Sequence, residues 1–181
     1  VSARGDAELL ARREIYRGRI VDLALERVRL PNRHVVELEM VRHRGAAAVV
    51  PLLDDGRVAL VRQYRHAACG WLLEVPAGTL AAGETPEACA AREIAEETGY
   101  RARGLDPLGW VWTTPGFTDE RIWLYLATGL EAGTQALDAD EALEVEHLPL
   151  AEAVEQAVAG EIRDAKSVCA LLRAAAHRAR R

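Results

Sequence analysis

The sequence predicts an α/β (α+β) protein, with a small N-terminal antiparallel β unit over residues 1–44 and an α/β core over residues 45–181. Three observations predict this. From Arg13 to Arg44, β-branched and aromatic residues alternate with charges, the period of two expected of half-buried strands. From Thr85 to Thr98 the chain carries matched helix start and stop signals. Strand-like runs flank that helix on both sides, and two amphipathic stretches close the chain.

The elements follow in order. Glu14-Ile15-Tyr16-Arg17, Val21-Asp22-Leu23 and Val35 to Met40 are strand candidates, and Pro31-Asn32 marks a turn between two of them. Ala46 to Leu53 and Arg57 to Arg65 flank Asp54-Asp55-Gly56, which predicts a hairpin. The helix has Thr85 as N-cap, Pro86 at its first position and Gly99 just past its end. Leu108 to Trp112 and Arg121 to Ala127 are strands separated by a loop, Thr113 to Thr118, and a further strand lies around Glu144 to Leu148. Helical periodicity returns over Leu150 to Val158 and Asp164 to Ala176, the latter placing Val168, Leu171, Leu172 and Ala175 on one face.

Composition excludes several classes of function. With 181 residues, 50% hydrophobic and 28% charged, the chain can bury a real core and does not read as disordered. The longest run without a charge is Pro107 to Thr118, too short for a bilayer span of about 20 residues, so no membrane role is expected. A net charge of −5 argues against coating nucleic acid. Cys69, Cys89 and Cys169 are an odd number without zinc-ligand spacing, and Val1 to Ile20 lacks the apolar core of a secretory leader. Free thiols and a cytoplasmic location are the expectation. His34, His43, His66, His147 and His177 show no ligand spacing either.

One segment does not read as ordinary surface. Glu93 and Glu97 are i and i+4 on one helix face, with Glu96 a turn along from Glu93. Three carboxylates thus crowd a helix C-terminus, where negative charge is disfavoured by about 0.3 to 1 kcal/mol for each effect. An exposed, solvated acidic face would tolerate this. A hard divalent cation such as Mg²⁺, which binds oxygen ligands between carboxylates and phosphates, would resolve it. Arg92 is close enough in sequence to hold one carboxylate in place.

The whole segment is Gly78, five residues, Glu84, seven residues, then Arg92-Glu93-Ile94-Ala95-Glu96-Glu97-Thr98-Gly99-Tyr100. It resembles the Nudix box at every fixed position, with Tyr100 the loosest match at the final apolar place. The similarity extends over roughly Tyr16 to Ala175. Gly18 to Val21, Leu25-Glu26, Arg62-Gln63-Tyr64-Arg65, Leu73 to Gly78, Pro115 to Glu120 and Gly160 to Lys166 all resemble the ADP-ribose pyrophosphatase branch. Pro115 lies sixteen residues beyond Gly99, where that branch carries a proline.

The resemblance implies the Nudix fold, a mixed β-sheet sandwiched between helices, and Mg²⁺-dependent (or Mn²⁺-dependent) hydrolysis of the pyrophosphate link of a nucleotide sugar. It implies Glu93, Glu96, Glu97 and the Ala77 carbonyl as metal ligands, with Glu93 and Glu97 foremost, and Gly78, Glu84, Arg92 and Gly99 as the residues that hold the motif together. A carboxylate from a loop outside the box often acts as general base in this branch. Asp138-Ala139-Asp140-Glu141 supplies candidates, of which Glu141 is chosen and Asp140 stands next, although an acidic loop also serves solubility. Arg65 is a candidate for a phosphate contact or an ordinary ion pair. Glu26, Pro115 and Gly116 are candidate substrate contacts, Glu26 having the plainer reading of a strand residue. A homodimer joined through the N-terminal unit is also implied. The leading expectation is release of AMP and ribose 5-phosphate from ADP-ribose. The alternatives are another nucleotide sugar, such as GDP-mannose, or a non-catalytic ADP-ribose-binding module, which the intact carboxylates oppose.

Overall fold

The computed structural model describes residues 6–137 and 142–180. The chain divides into two compact units, one running up to Arg44 together with Trp112–Arg121, the other Gly45–Val111 with Ile122 onward. The return of Trp112–Arg121 to the first unit is a non-local pairing that no sequence pattern announced.

The first unit is built on a meander of β1 (Glu8–Arg17), β2 (Asp22–Arg29) and β3 (Val35–Arg42), antiparallel in that order. The turn at Pro31-Asn32 is closed by the Arg33 N–H donating to the Leu30 carbonyl at 2.8 Å, with Arg33 at φ 71°. Strand β1 starts earlier than the alternation suggested, because it is exposed along almost its whole length and buries no stripe for the pattern to register.

The second unit contains two sheets. One is mixed and consists of β7 (Ala77–Thr79), β4 (Ala46–Pro51), β9 (Arg121–Ala132) and β8 (Tyr100–Trp112), neighbours in that order, with β4 and β9 parallel. The other is antiparallel, β10 (Leu143–Pro149), β5 (Arg57–Arg65) and β6 (Gly70–Glu74), with a single 3-10 turn at His66–Ala68 between β5 and β6. Strand β4 is buried at every position, which suits a strand covered on both faces.

Helix α1 (Pro86–Thr98) covers one face of the mixed sheet, where Cys89, Ala90 and Ile94 meet Ala47, Val49, Tyr125 and Ala127. The opposite face, with Ala48, Val50, Leu124 and Leu126, packs with Val58 and Leu60 of β5 and with α2 (Leu150–Ala159) and α3 (Ala165–Arg178). The mixed sheet is therefore sandwiched between helices. Fully burying a side chain such as Leu60 or Leu124 contributes about 2 kcal/mol. The buried face of α3 is Ser167, Ala170, Leu171 and Ala174 rather than the face expected: Leu172 is 40% exposed. Small residues lie where the helix approaches the sheet, and the sequence reading gave weight to the larger ones instead. Among the described residues no helix is long and apolar enough to cross a membrane.

Candidate active site

The segment from Gly78 to Tyr100 folds as the end of β7, a turn and α1, and each feature has a local cause. Glu84 closes the turn twice, by its N–H to the Ala81 carbonyl at 3.1 Å and by accepting from the Ala81 N–H at 2.8 Å. Thr85 caps α1 by accepting from the Ala88 N–H. At the far end Gly99 takes the left-handed conformation, φ 75°, and its N–H donates to the Ala95 carbonyl.

Arg92 organises the carboxylates. Its Nε and Nη2 donate to Glu84 at 2.9 and 3.0 Å, and its Nη1 donates to Glu93 at 2.6 Å and to Glu96 at 2.9 Å. One guanidinium thus holds three carboxylates, where the sequence reading expected one. Hydrogen bonds from Arg92 pull the Glu84 carboxyl down to about 2, and the same bonds, Glu84's foremost, raise the proton affinity of Arg92. Glu97 is 2% exposed, and its Oε2 accepts from the Ala77 N–H at 3.1 Å. Glu93 is buried against Gly78, where a Cβ would stand 1.8 Å from its Oε1. That close approach is what the absence of a side chain at residue 78 permits.

Three carboxylates therefore gather around one guanidinium, and a fourth, Glu97, lies a turn beyond Glu93, close to the helix C-terminus. Their hard oxygen donors and surplus negative charge fit a divalent cation. Among the described residues no three His, Cys, Asp or Glu side chains already converge as a finished cage. Arg92 draws Glu93 and Glu96 to itself, and Ala77 draws Glu97. Cys89 contributes no thiolate here, since burial and then the Glu93 and Glu84 charges push its thiol up to about 12.

A second charged cluster lies beside the first. Arg65, the last residue of β5, donates from Nε and Nη2 to the two oxygens of Glu74 at 2.9 and 2.8 Å. Lys166 pairs with the same carboxylate and with Asp164 at 3.0 Å. Burial pushes the Glu74 carboxyl up, but Arg65 and Lys166 outweigh it and hold the group below the usual carboxylate range. The Glu97 charge reaches Arg65, so the two clusters feel one another. Glu74 takes the Nε–Nη2 edge of the guanidinium, so Arg65 makes the ion pair that was one of its two expected readings. Sequence reasoning missed this cluster. Its signal was a lone acid in the apolar run Leu72-Leu73-Glu74-Val75 and a single lysine in the chain.

Three further candidates, Glu26, Pro115 and Gly116, belong to the other unit. Glu26 in β2 is 4% exposed, and Arg42 donates to both its oxygens, at 2.6 and 2.7 Å from Nη2. Arg42 also reaches Asp119 at 3.0 Å, and the His43 N–H donates to that carboxylate at 2.9 Å. Pro115 and Gly116 are exposed, in a turn closed by the Phe117 N–H to the Thr114 carbonyl at 3.1 Å. Glu141 and Asp140 lie outside the described residues. Trp71, Trp110 and Trp112 are each more than a third exposed.

A strand-loop-helix that gathers acids around one arginine, attached to a mixed sheet between helices, is a family signature, and comparison bears it out. The family model for the NUDIX domain matches residues 42–171, and the chain belongs to that family. It is 38% identical over 168 residues to the ADP-ribose pyrophosphatase of Bacillus subtilis (strain 168), a match covering 92% of this chain and 91% of that protein. It is 39% identical over 173 residues to the ADP-ribose pyrophosphatase of Mycobacterium tuberculosis (strain ATCC 25618 / H37Rv), covering 94% and 84%. Among solved structures, one titled as that of an ADP compounds hydrolase superposes with a TM-score of 0.82 at 22% identity, covering 98% of this chain and 96% of that one. The fold is thus that of the family.

Proposed function

We propose that this protein is a divalent-metal-dependent hydrolase that cleaves the pyrophosphate of ADP-ribose to AMP and ribose 5-phosphate. The observation that carries the reading is the carboxylate cluster on α1 and its turn, in a chain similar over nine-tenths of its length to a protein named for that activity. Glu93, Glu96, Glu97 and the Ala77 carbonyl would hold Mg²⁺ or Mn²⁺. A cation bound there would neutralise pyrophosphate oxygens and lower the pKa of a bound water.

The chain's own residues do the rest. Arg92 keeps Glu93 and Glu96 oriented, and Glu84 fixes Arg92 and the turn at once. Arg65, held by Glu74, presents its remaining edge as a charge-assisted donor to a phosphate oxygen. Glu141 serves as general base, because a carboxylate outside the metal shell keeps the proton affinity that a ligand carboxylate loses. Glu26, Pro115 and Gly116 contribute to substrate recognition. We place the reaction in the cytoplasm, in keeping with three free cysteines, one of them exposed, and propose a homodimer formed through the N-terminal β unit.

A panel of ADP-ribose, GDP-mannose and other nucleotide sugars with Mg²⁺, scored for nucleoside monophosphate release, tests the substrate. ADP-ribose should give the highest kcat/KM, and no turnover of any sugar would favour a binding module. Hydrolysis in ¹⁸O water should label AMP. Glu141→Gln should lower kcat by about 10² to 10⁴ with KM nearly unchanged, and a loss under about tenfold would remove this residue from the mechanism. Sedimentation at micromolar concentration should find a dimer, and a monomer would refute the proposed assembly.

A further inference from the structure

Gln63, near the C-terminal end of β5, is 8% exposed, and its side-chain oxygen is fully buried with no hydrogen-bond partner among the described residues. A buried acceptor without a donor costs roughly 1 to 3 kcal/mol, and native proteins seldom keep one without a reason.

Its place in the sheet suggests the reason. Alternation along β5 sends Val58 and Leu60 into the core beneath α2 and α3, so Val61, Gln63 and Arg65 face the other way. Across the ladder, Leu72 and Leu143 stand opposite Gln63, while Glu74 stands opposite Val61. Gln63 is thereby bracketed by the Arg65–Glu74 pair, on the side of the sheet where the Glu97 charge is felt. Chain segments frame the same region. The Gln135 side chain donates to the Glu97 carbonyl and the Ala136 N–H to the Glu96 carbonyl, and the Ala142 carbonyl accepts from the Tyr64 N–H at 3.3 Å.

We infer that the Gln63 side-chain oxygen is an acceptor for an O–H donor bound beside the carboxylate cluster, either a water or a sugar hydroxyl of the substrate. The inference rests on the hydrolase reading above. Bound donor and acceptor would satisfy each other, offsetting a desolvation cost that the ligand-free protein carries. Two apolar flanking residues, Leu72 and Leu143, supply no alternative side-chain partner.

Gln63→Met and Gln63→Leu keep the volume and remove the acceptor. In metal-free protein their unfolding midpoints should equal or exceed that of the unsubstituted chain, since an unpaired buried polar group is gone. Activity should move the opposite way. If the donor is water, kcat should fall about tenfold or more with KM within twofold, both for ADP-ribose and for the methyl ester of ADP, which has no terminal sugar hydroxyls. If the donor is a hydroxyl, KM for ADP-ribose should rise about tenfold while the methyl ester is unaffected. Two results overturn the inference: kinetic constants within twofold of the unsubstituted chain, or midpoints lowered by several degrees with activity falling only as the folded fraction falls, which would make Gln63 a structural donor or acceptor. Failure of the unsubstituted chain to release AMP from ADP-ribose would instead count against the hydrolase reading.

Discussion

Two clusters of acids and bases sit side by side in the larger unit, and they differ in charge balance. Around Arg92 gather Glu84, Glu93 and Glu96, with Glu97 a turn further along α1, so negative charge is in surplus. Around Glu74 gather Arg65 and Lys166, and Asp164 completes two acids against two bases. Both are partly or wholly buried, and burial penalises net charge far more than charge in neutral pairs. The balanced cluster needs nothing further to be stable. The unbalanced one carries a surplus of negative charge that a cation would relieve.

The contrast breaks most sharply on two neutralising substitutions. Glu97→Gln removes one of the surplus charges, so thermal stability without metal should stay level or rise while kcat falls by about 10² to 10³. Near-normal turnover in Mg²⁺ would remove Glu97 from the metal shell. Glu74→Gln should behave oppositely: it leaves Arg65 and Lys166 facing a neutral amide, and urea denaturation should show a loss of about 3 kcal/mol, toward the lower end of the range for broken buried pairs because Arg65 is partly exposed.

The same pair fixes the sign of a pH effect. Because the Glu74 carboxyl titrates below its ordinary value in the folded chain, its contribution is complete above the unfolded value and is lost as pH falls through the folded one. The unsubstituted chain should therefore lose stability below about pH 4.5 more steeply than Glu74→Gln, as read from denaturation midpoints across pH 2 to 6. Parallel curves would mean that Glu74 titrates normally.

A steric change sharpens the comparison without touching charge. In Gly78→Ala the new methyl would occupy the space of the Glu93 carboxylate, which stands at the end of a flexible side chain and can swing away. Stability should change by less than about 1 kcal/mol, while activity should fall on the order of 10²-fold, the scale expected for displacing a positioned group by about 1 Å. Activity within threefold would show that the contact with Gly78 does not set the Glu93 position.

The two clusters also differ in how far the sequence discloses them. The box is local: residues from Gly78 to Gly99 are joined by one turn and one helix, so spacing alone predicts which carboxylates share a face. The caps of α1 were equally readable, because Thr85, Pro86 and Gly99 act through their own backbone and nearest turns. The Glu74 cluster joins β5, β6 and the start of α3, with Glu74 and Lys166 ninety-two residues apart, and no periodicity encodes such a meeting. The missing partner of Gln63 was hidden for another reason, although the residue lies in the Arg62 to Arg65 stretch that carries the resemblance. A missing partner is a property of packing, and the residue itself reads as an ordinary polar position in a strand. Trp112–Arg121 joined the N-terminal strands for the same non-local cause, through the Val41 N–H to the Phe117 carbonyl at 2.7 Å.

The smallest expected effect asks whether the balanced cluster is held by charge or by helix capping. Asp164 does both: it pairs with Lys166, and as N-cap of α3 its Oδ2 accepts from the Ser167 N–H at 3.0 Å. Ser167 in turn accepts from the Val75 N–H at 2.8 Å, which ties the start of α3 to the chain leading into β7. Asp164→Asn removes the charge and keeps a capping oxygen, whereas Asp164→Ala removes both. Replacing an aspartate cap by alanine costs about 0.5 to 2 kcal/mol, and a largely buried ion pair such as Asp164–Lys166 costs more to break than the roughly 0 to 1 kcal/mol of an exposed one. If capping dominates, Asp164→Asn should lose under about 0.5 kcal/mol and Asp164→Ala a further 1 or so by urea denaturation. Equal losses for the two would mean that the pairing with Lys166 carries the stabilisation. The second cluster would then depend on its charges as fully as the first, with balance the sole difference between them.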